Sequence, residues 1–148
     1  GGALKNIYAI AAGIAEGLNL GENAKSALIS RSFAEMTRYA KKFKADKNTL
    51  FGLSGLGDLI LTCSSKNSRN TQFGIKLASS KYDNFLDLLK SQEVTEGYYT
   101  VKAVYNISQK KNIDMPIMES VYNILYKQHD LKEELSNLLS RPITEEKI

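Results

Sequence analysis

The sequence is poor in residues that build covalent or metal cross-links: it has one cysteine, Cys63, and one histidine, His129. A lone cysteine excludes an intrachain disulfide and fits a reducing cytoplasm. One Cys and one His also argue against a Cys/His zinc site, because a structural zinc ion takes four such ligands. No apolar run approaches the roughly 18 residues that a membrane-spanning helix needs. The most apolar stretch, Ala9–Ala15, is closely bracketed by Lys5 and Glu16, so no membrane insertion is expected. The basic, apolar and small-residue series of a signal peptide is missing too. So is a strong excess of one charge. Lys and Arg total 20 against 16 Asp and Glu, a net +4, with the densest basic group at Lys41, Lys42 and Lys44 and acids interleaved throughout. That balance favours small anionic ligands over a nucleic-acid track. Period-two alternation of useful length is also lacking, so no strand is expected. Internal repeats and low-complexity tracts are absent.

What is present suits one helical domain over residues 1–148. A chain of 148 residues is about one domain long and buries roughly two-thirds of its unfolded surface. Hydrophobic residues at 43% and charged residues at 24% are ordinary for a globular protein. Leu4, Ile7, Ala11, Ile14 and Leu18 recur at steps of three and four, which predicts a helix from about Ala3 to Leu18. The small residues Ala9, Ala12 and Gly13 would let a neighbouring backbone approach it, and Gly21 suits a left-handed cap. A longer helix is expected from Glu22 to Phe43, striped by Ala24, Ala27, Leu28, Met36, Tyr39 and Phe43, with Arg31 and Glu35 paired at i, i+4. Asp58–Thr62 reads as a short helix. Further helices are expected at Thr71–Ala78, Phe85–Lys90, Tyr98–Lys111, Ile117–Lys127 and Leu131–Leu139, with Pro116 in a first turn and Arg141-Pro142 as a stop.

Several residues have both a bland and a chemical reading. Gly52-Leu53-Ser54-Gly55-Leu56-Gly57 has G-x-x-G-x-G spacing and no preceding strand, so it reads as a tight turn into a helix, not as a dinucleotide fingerprint. Asp58 is either a helix cap or, with Thr62 one turn on, part of a site. Ser68-Arg69-Asn70 either caps the next helix or offers hydroxyl, guanidinium and amide donors to a phosphate at a helix N-terminus. Lys5 is either a lysine snorkelling to water or one held near the positive end of a helix and partly desolvated. The second setting disfavours the ammonium and brings proton exchange within reach of neutral pH. His129 reads as a surface or capping residue. Cys63 has no His–Asn pattern that would make it a nucleophile. The eight tyrosines, among them Tyr98, Tyr99, Tyr105, Tyr122 and Tyr126, read as core or interface.

These pieces share an order. Gly2-Ala3-Leu4-Lys5-Asn6, then Gly55-Leu56-Gly57-Asp58-Leu59-Ile60-Leu61-Thr62-Cys63, then Ser68-Arg69-Asn70, Val94-Thr95-Glu96-Gly97-Tyr98-Tyr99-Thr100 and Met115-Pro116-Ile117 together closely resemble the bacterial NAD(P)-dependent glycerol-3-phosphate dehydrogenases. The resemblance covers essentially the whole chain. It implies an all-α C-terminal substrate domain of the type found in 6-phosphogluconate-dehydrogenase-like two-domain dehydrogenases. The N-terminal Rossmann domain, which binds most of the cofactor, is expected to be absent from this chain.

The roles the resemblance implies fall on matching positions. Lys5 is the catalytic general acid and base for interconverting dihydroxyacetone phosphate and sn-glycerol 3-phosphate, the precursor of glycerophospholipids. Lys5, Asn6, Asp58, Thr62, Ser68, Arg69 and Asn70 surround the substrate, while Arg69, Val94 and Glu96 face NAD(P)H. A homodimer in the cytoplasm is expected, and the chain alone is expected to be inactive. Two rivals remain open at this level. One is a dehydrogenase acting on 3-hydroxy acids or 6-phosphogluconate, against which the Gly-Leu-Gly-Asp-Leu and Ser-Arg-Asn pieces argue. The other is a helical oligomerisation module, which leaves Lys5, Asp58 and Arg69 unexplained.

Overall fold

The computed structural model describes residues 2–44, 53–79, 88 and 96–142. Among these, the chain forms seven α-helices and one π-helical turn, with no strand, as the sequence predicts. The helices are α1 (Gly2–Gly17), α2 (Glu22–Lys42), α3 (Asp58–Ser64), α4 (Arg69–Ser79), α5 (Glu96–Lys111), α6 (Pro116–Lys127) and α7 (Leu131–Leu139); the π-helical turn, Leu53–Gly57, leads into α3. The helix expected at Phe85–Lys90 lies outside the described residues apart from Leu88, which is helical and buried.

α1 is the axis of the fold. Every residue from Ile7 to Ala15 is buried, so the helix is apolar all round and not along one stripe, as a helix surrounded by others must be. It packs against α2, α3, α4, α5 and α6. Its end differs from expectation. Asn19, at φ 56°, takes the left-handed position, with Leu20 N–H donating to Ala15 O and Asn19 N–H to Glu16 O. This is the paired closure of a Schellman motif. Gly21, at φ 92°, instead stands before the first turn of α2.

α1 and α4 approach each other very closely. A methyl group on Gly13 would lie 2.1 Å from Thr71 O, and one on Gly74 would lie 2.2 Å from Ile10 O. The two helices therefore meet backbone to backbone, which only glycine permits at these two positions. The small-residue expectation for α1 is met here at Gly13.

Arg31 and Glu35 behave differently from the expected i, i+4 pair. Both are buried, and each serves the end of another helix. Glu35 accepts the N–H of Ile117 at 2.7 Å and of Met118 at 3.1 Å, two donors that the start of α6 leaves without intrahelical partners. Arg31 donates to the carbonyls of Leu138 at 3.0 Å and Arg141 at 2.7 Å, at the end of α7. A carboxyl oxygen pair accepting at a helix start and a cation at a helix end both suit the unpaired backbone groups found there. Burial pushes the Glu35 carboxyl up to about 8, with the two N–H bonds, Tyr8 and the Arg38 charge pulling the other way.

Tyrosines join α5 to α6, in line with their reading as core. Tyr105 and Tyr122 stack at 3.7 Å between ring centroids, Tyr122 and Tyr126 at 5.1 Å, and Tyr126 and Tyr98 at 4.8 Å. Tyr126 Oη also donates to Tyr98 O at 2.6 Å. α7 starts at Asp130, whose side chain caps it by accepting from Glu133 N–H.

Two outcomes follow for stability. Gly74→Ala gains about 1 kcal/mol of helix propensity but forces a methyl onto backbone that has nowhere to move. We expect a net loss of roughly 1–3 kcal/mol, read as a lower urea midpoint. For Glu35, the unfolded chain ionises from near the ordinary value of 4.5 while the folded chain holds its proton up to about 8. Stability should therefore fall as pH rises through that window and level off above it. In Glu35→Gln the fall should flatten, and a slope identical to the parent's would show that Glu35 does not titrate in this range.

Candidate active site

The site is built on the first turns of α1, α3, α4 and α5. Lys5 and Asn6 lie in the first turns of α1. The π-helical turn runs directly into α3, with Gly57 already helical at φ −59° and ψ −47°, so Asp58 is not needed as a cap. Its carboxylate reaches across to Lys5 instead, Oδ2 to Nζ at 2.6 Å, with the side chains 46% and 19% exposed respectively. This is a charge-assisted hydrogen bond at the short end of its range. The described part of the glycine-rich stretch, Leu53–Gly57, is π-helical and not a tight turn. It is a wide helical turn of the kind often found at functional sites.

α3 also places Thr62 one turn below Asp58, as expected from i, i+4 spacing. The Thr62 carbonyl accepts from Thr71 Oγ1 at 3.5 Å, which ties α3 to α4. α3 leaves Ile60 and Leu61 exposed and buries Cys63. Burial pushes the Cys63 thiol up to about 12, so it stays a thiol at neutral pH and is no nucleophile.

Ser68, Arg69 and Asn70 open α4. Ser68 Oγ accepts from Thr71 N–H at 3.4 Å, a capping contact. Arg69 is exposed at the first helical position. Asn70 is buried, and its Oδ1 accepts the N–H of Gly97 at 3.1 Å. Glu96 is exposed at the start of α5. Val94, expected on the cofactor side, lies outside the described residues.

The structure thus joins Lys5 to Asp58 directly and Asn70 to the start of α5. Asn6 belongs to the same cluster, because its carbonyl would lie 3.1 Å from a Cβ placed on Gly97. Gly97 itself was missed as a site residue, although a glycine in the first turn of a helix, right after Glu96, is a signal of close approach. His129 pairs with Glu134 at 2.7 Å, the surface role expected of it.

Two clefts of about 310 and 280 Å3 flank α7. Their linings mix Glu119, Glu133 and Glu134 with Arg141 and His129 and include none of the site residues above. Among the described residues no group of three or more His, Cys, Asp or Glu could hold a metal ion, and no helix is long and apolar enough to cross a membrane.

Comparison with known proteins bears directly on this geometry. The family model of the NAD-dependent glycerol-3-phosphate dehydrogenase C-terminus matches residues 1–136. Curated glycerol-3-phosphate dehydrogenases [NAD(P)+] are similar throughout: that of Solidesulfovibrio magneticus is 47% identical over 99% of this chain and 44% of its own length. That of Brachyspira hyodysenteriae is 48% identical over 95% of this chain and 42% of its own length. The chain therefore spans less than half the length of the curated relatives it matches. The crystal structure of glycerol-3-phosphate dehydrogenase from Coxiella burnetii superposes with a TM-score of 0.87 at 40% identity, covering 95% of this chain and 43% of that one. The Saccharomyces cerevisiae glycerol-3-phosphate dehydrogenase superposes with a TM-score of 0.81 at 28% identity, covering 95% and 41%. With a family-model match over residues 1–136 and these relatives and superpositions, the chain belongs to the NAD-dependent glycerol-3-phosphate dehydrogenase C-terminal domain family.

Proposed function

We propose that this chain is the substrate half of an NAD(P)-dependent oxidoreductase that interconverts dihydroxyacetone phosphate and sn-glycerol 3-phosphate, the backbone precursor of glycerophospholipids. The observation that carries this reading is the 2.6 Å pair between Lys5 and Asp58. A snorkelling lysine would run to open water, whereas Lys5 is four-fifths covered and held by a carboxylate from another helix.

Lys5 carries three N–H donors as an ammonium, and Asp58 takes one of them. The others remain for substrate oxygen. As the carbonyl of dihydroxyacetone phosphate is reduced, charge builds on its oxygen, and Lys5 donates a proton there. In the reverse direction Lys5 removes the hydroxyl proton. Asp58 holds Nζ in place and balances its charge through both steps. Asn6 and Thr62 border the same reacting centre. Arg69, exposed at the N-terminus of α4, offers a bidentate fork to the phosphate, backed by the free N–H groups and positive dipole of the helix start. Ser68 and Asn70 frame it.

The nicotinamide, when bound, supplies the hydride in one direction and accepts it in the other. This chain's donor set fits the rim of such a cofactor and not its cradle. Arg69 and Glu96 are exposed at two helix starts, and the described residues contain no strand–glycine–helix unit. We assign Arg69, Glu96 and Val94 to that rim, and the rest of the cofactor site to an N-terminal Rossmann half like the one the relatives' length allows. Ile60 and Leu61, exposed beside Asp58, are the apolar surface such a half would cover. A cytoplasmic homodimer is the proposed form of the enzyme.

Two kinetic outcomes test the reading in an enzyme completed by a nicotinamide-binding half. Lys5→Ala should lower kcat by about 10²–10⁴-fold with a much smaller change in KM. An unchanged kcat would remove Lys5 from the chemistry. Arg69→Lys keeps the charge but loses the fork, and should raise KM for dihydroxyacetone phosphate. Equal weakening toward a ketone lacking the phosphate would defeat the clamp.

A further inference from the structure

The first turn of α5 presses on the site at the one residue there without a side chain. Gly97 is buried, and its N–H is among those that a helix start leaves unpaired. Asn70 Oδ1 satisfies it at 3.1 Å. The same bond acts on Asn70. A carboxamide can present either its oxygen or its NH2 to a given neighbour. An N–H facing it from Gly97 admits only the oxygen, because the flipped amide would set donor against donor. The carboxamide is therefore held in one orientation, with its NH2 fixed as a donor on the side away from Gly97.

The space around Gly97 makes the arrangement specific. A Cβ there would stand 2.7 Å from Asn70 Oδ1, 2.6 Å from Ile10 Cδ1 and 3.1 Å from Asn6 O. Its two closest encounters are with the tips of side chains, unlike at Gly13 and Gly74, where the obstacle is backbone. A methyl at Gly97 would evict the Asn70 oxygen while the helical frame stays in place.

We propose that Gly97 is a positioning residue, which by its N–H and its missing side chain locks the Asn70 carboxamide in one orientation and so keeps its NH2 available as a donor to the phosphate ester. The inference rests on the functional reading above and deepens it. It adds to the Lys5–Asp58 pair a second fixed element, set by helix packing and not by charge.

The test titrates this chain with sn-glycerol 3-phosphate and, separately, with glycerol, following the Gly97 amide and the Asn70 side-chain NH2 by NMR. Parent chain, Gly97→Ala, Asn70→Asp and Gly17→Ala are compared. Gly17→Ala is the steric control: its methyl would lie 2.6 Å from Ala78 Cβ and 2.9 Å from Ile75 O, at the far end of the α1–α4 contact. Gly97→Ala should weaken sn-glycerol 3-phosphate by roughly tenfold or more, the loss expected for a hydrogen bond to a charged group, with a displaced Asn70 NH2 signal. Asn70→Asp keeps an acceptor for Gly97, so the Gly97 signal and Tm should stay near the parent's while the phosphate-ester response is lost. Gly17→Ala should lose Tm but keep its affinity. Parent-like affinity in Gly97→Ala, or an equal loss in Gly17→Ala, overturns the role of Gly97 alone. A parent chain that responds no more to sn-glycerol 3-phosphate than to glycerol overturns the functional reading and this inference with it.

Discussion

The contact on which the rest of the molecule depends is the crossing of α1 and α4 at Gly13 and Gly74. Methyl groups at these positions would fall little more than 2 Å from backbone atoms of the other helix, so the two helices are as close as main chains can pack. α1 carries Lys5 and Asn6 at its start, and α4 carries Arg69 and Asn70 at its start. Fixing the crossing fixes the separation between the two ends of the proposed site, Lys5 and Asn6 on one side and Arg69 and Asn70 on the other. Orientation of this kind accounts for as much as ~7–11 kcal/mol of a barrier in well-aligned reactions. The glycines thus bear on chemistry although none of their atoms touches a reacting group.

Around that crossing the remaining helices are held by their ends. α6 begins on Glu35 and α7 ends on Arg31. α5 begins on Asn70 and lies along α6 through stacked tyrosines. Helix ends are where unsatisfied backbone groups concentrate, so satisfying them with buried side chains from another helix fixes the register as well as the position. A greasy interface alone would allow sliding that these bonds forbid.

Much of this was legible in the sequence, for identifiable reasons. The seven described helices were each anticipated because apolar spacing, Pro116 and polar breaks mark them locally. The Lys5–Asp58 pairing was open to anticipation because the resemblance set both residues at one reacting centre. What the sequence hid was non-local. Arg31 and Glu35 stand at i, i+4, which suggests a mutual pair. That they turn to α6 and α7 depends on partners more than 80 residues away. Gly97 stands in the sequence only as one residue of a matching segment, because its meaning lies in the space around it, and Asn19 took the cap expected of Gly21 because asparagine also tolerates the left-handed region.

The buried carboxyl and guanidinium on α2 also depend on distant partners. The partners of Glu35 lie 82 and 83 residues downstream, and the first carbonyl bound by Arg31 lies 107 residues downstream. On a growing chain, α1 to α5 are made while both groups still lack these partners. A carboxyl and a guanidinium without hydrogen bonds are costly to bury, so the inner face of α2 stays wet until the last two helices arrive. Burial of that face and satisfaction of its two polar groups thus come together only with α6 and α7 in place.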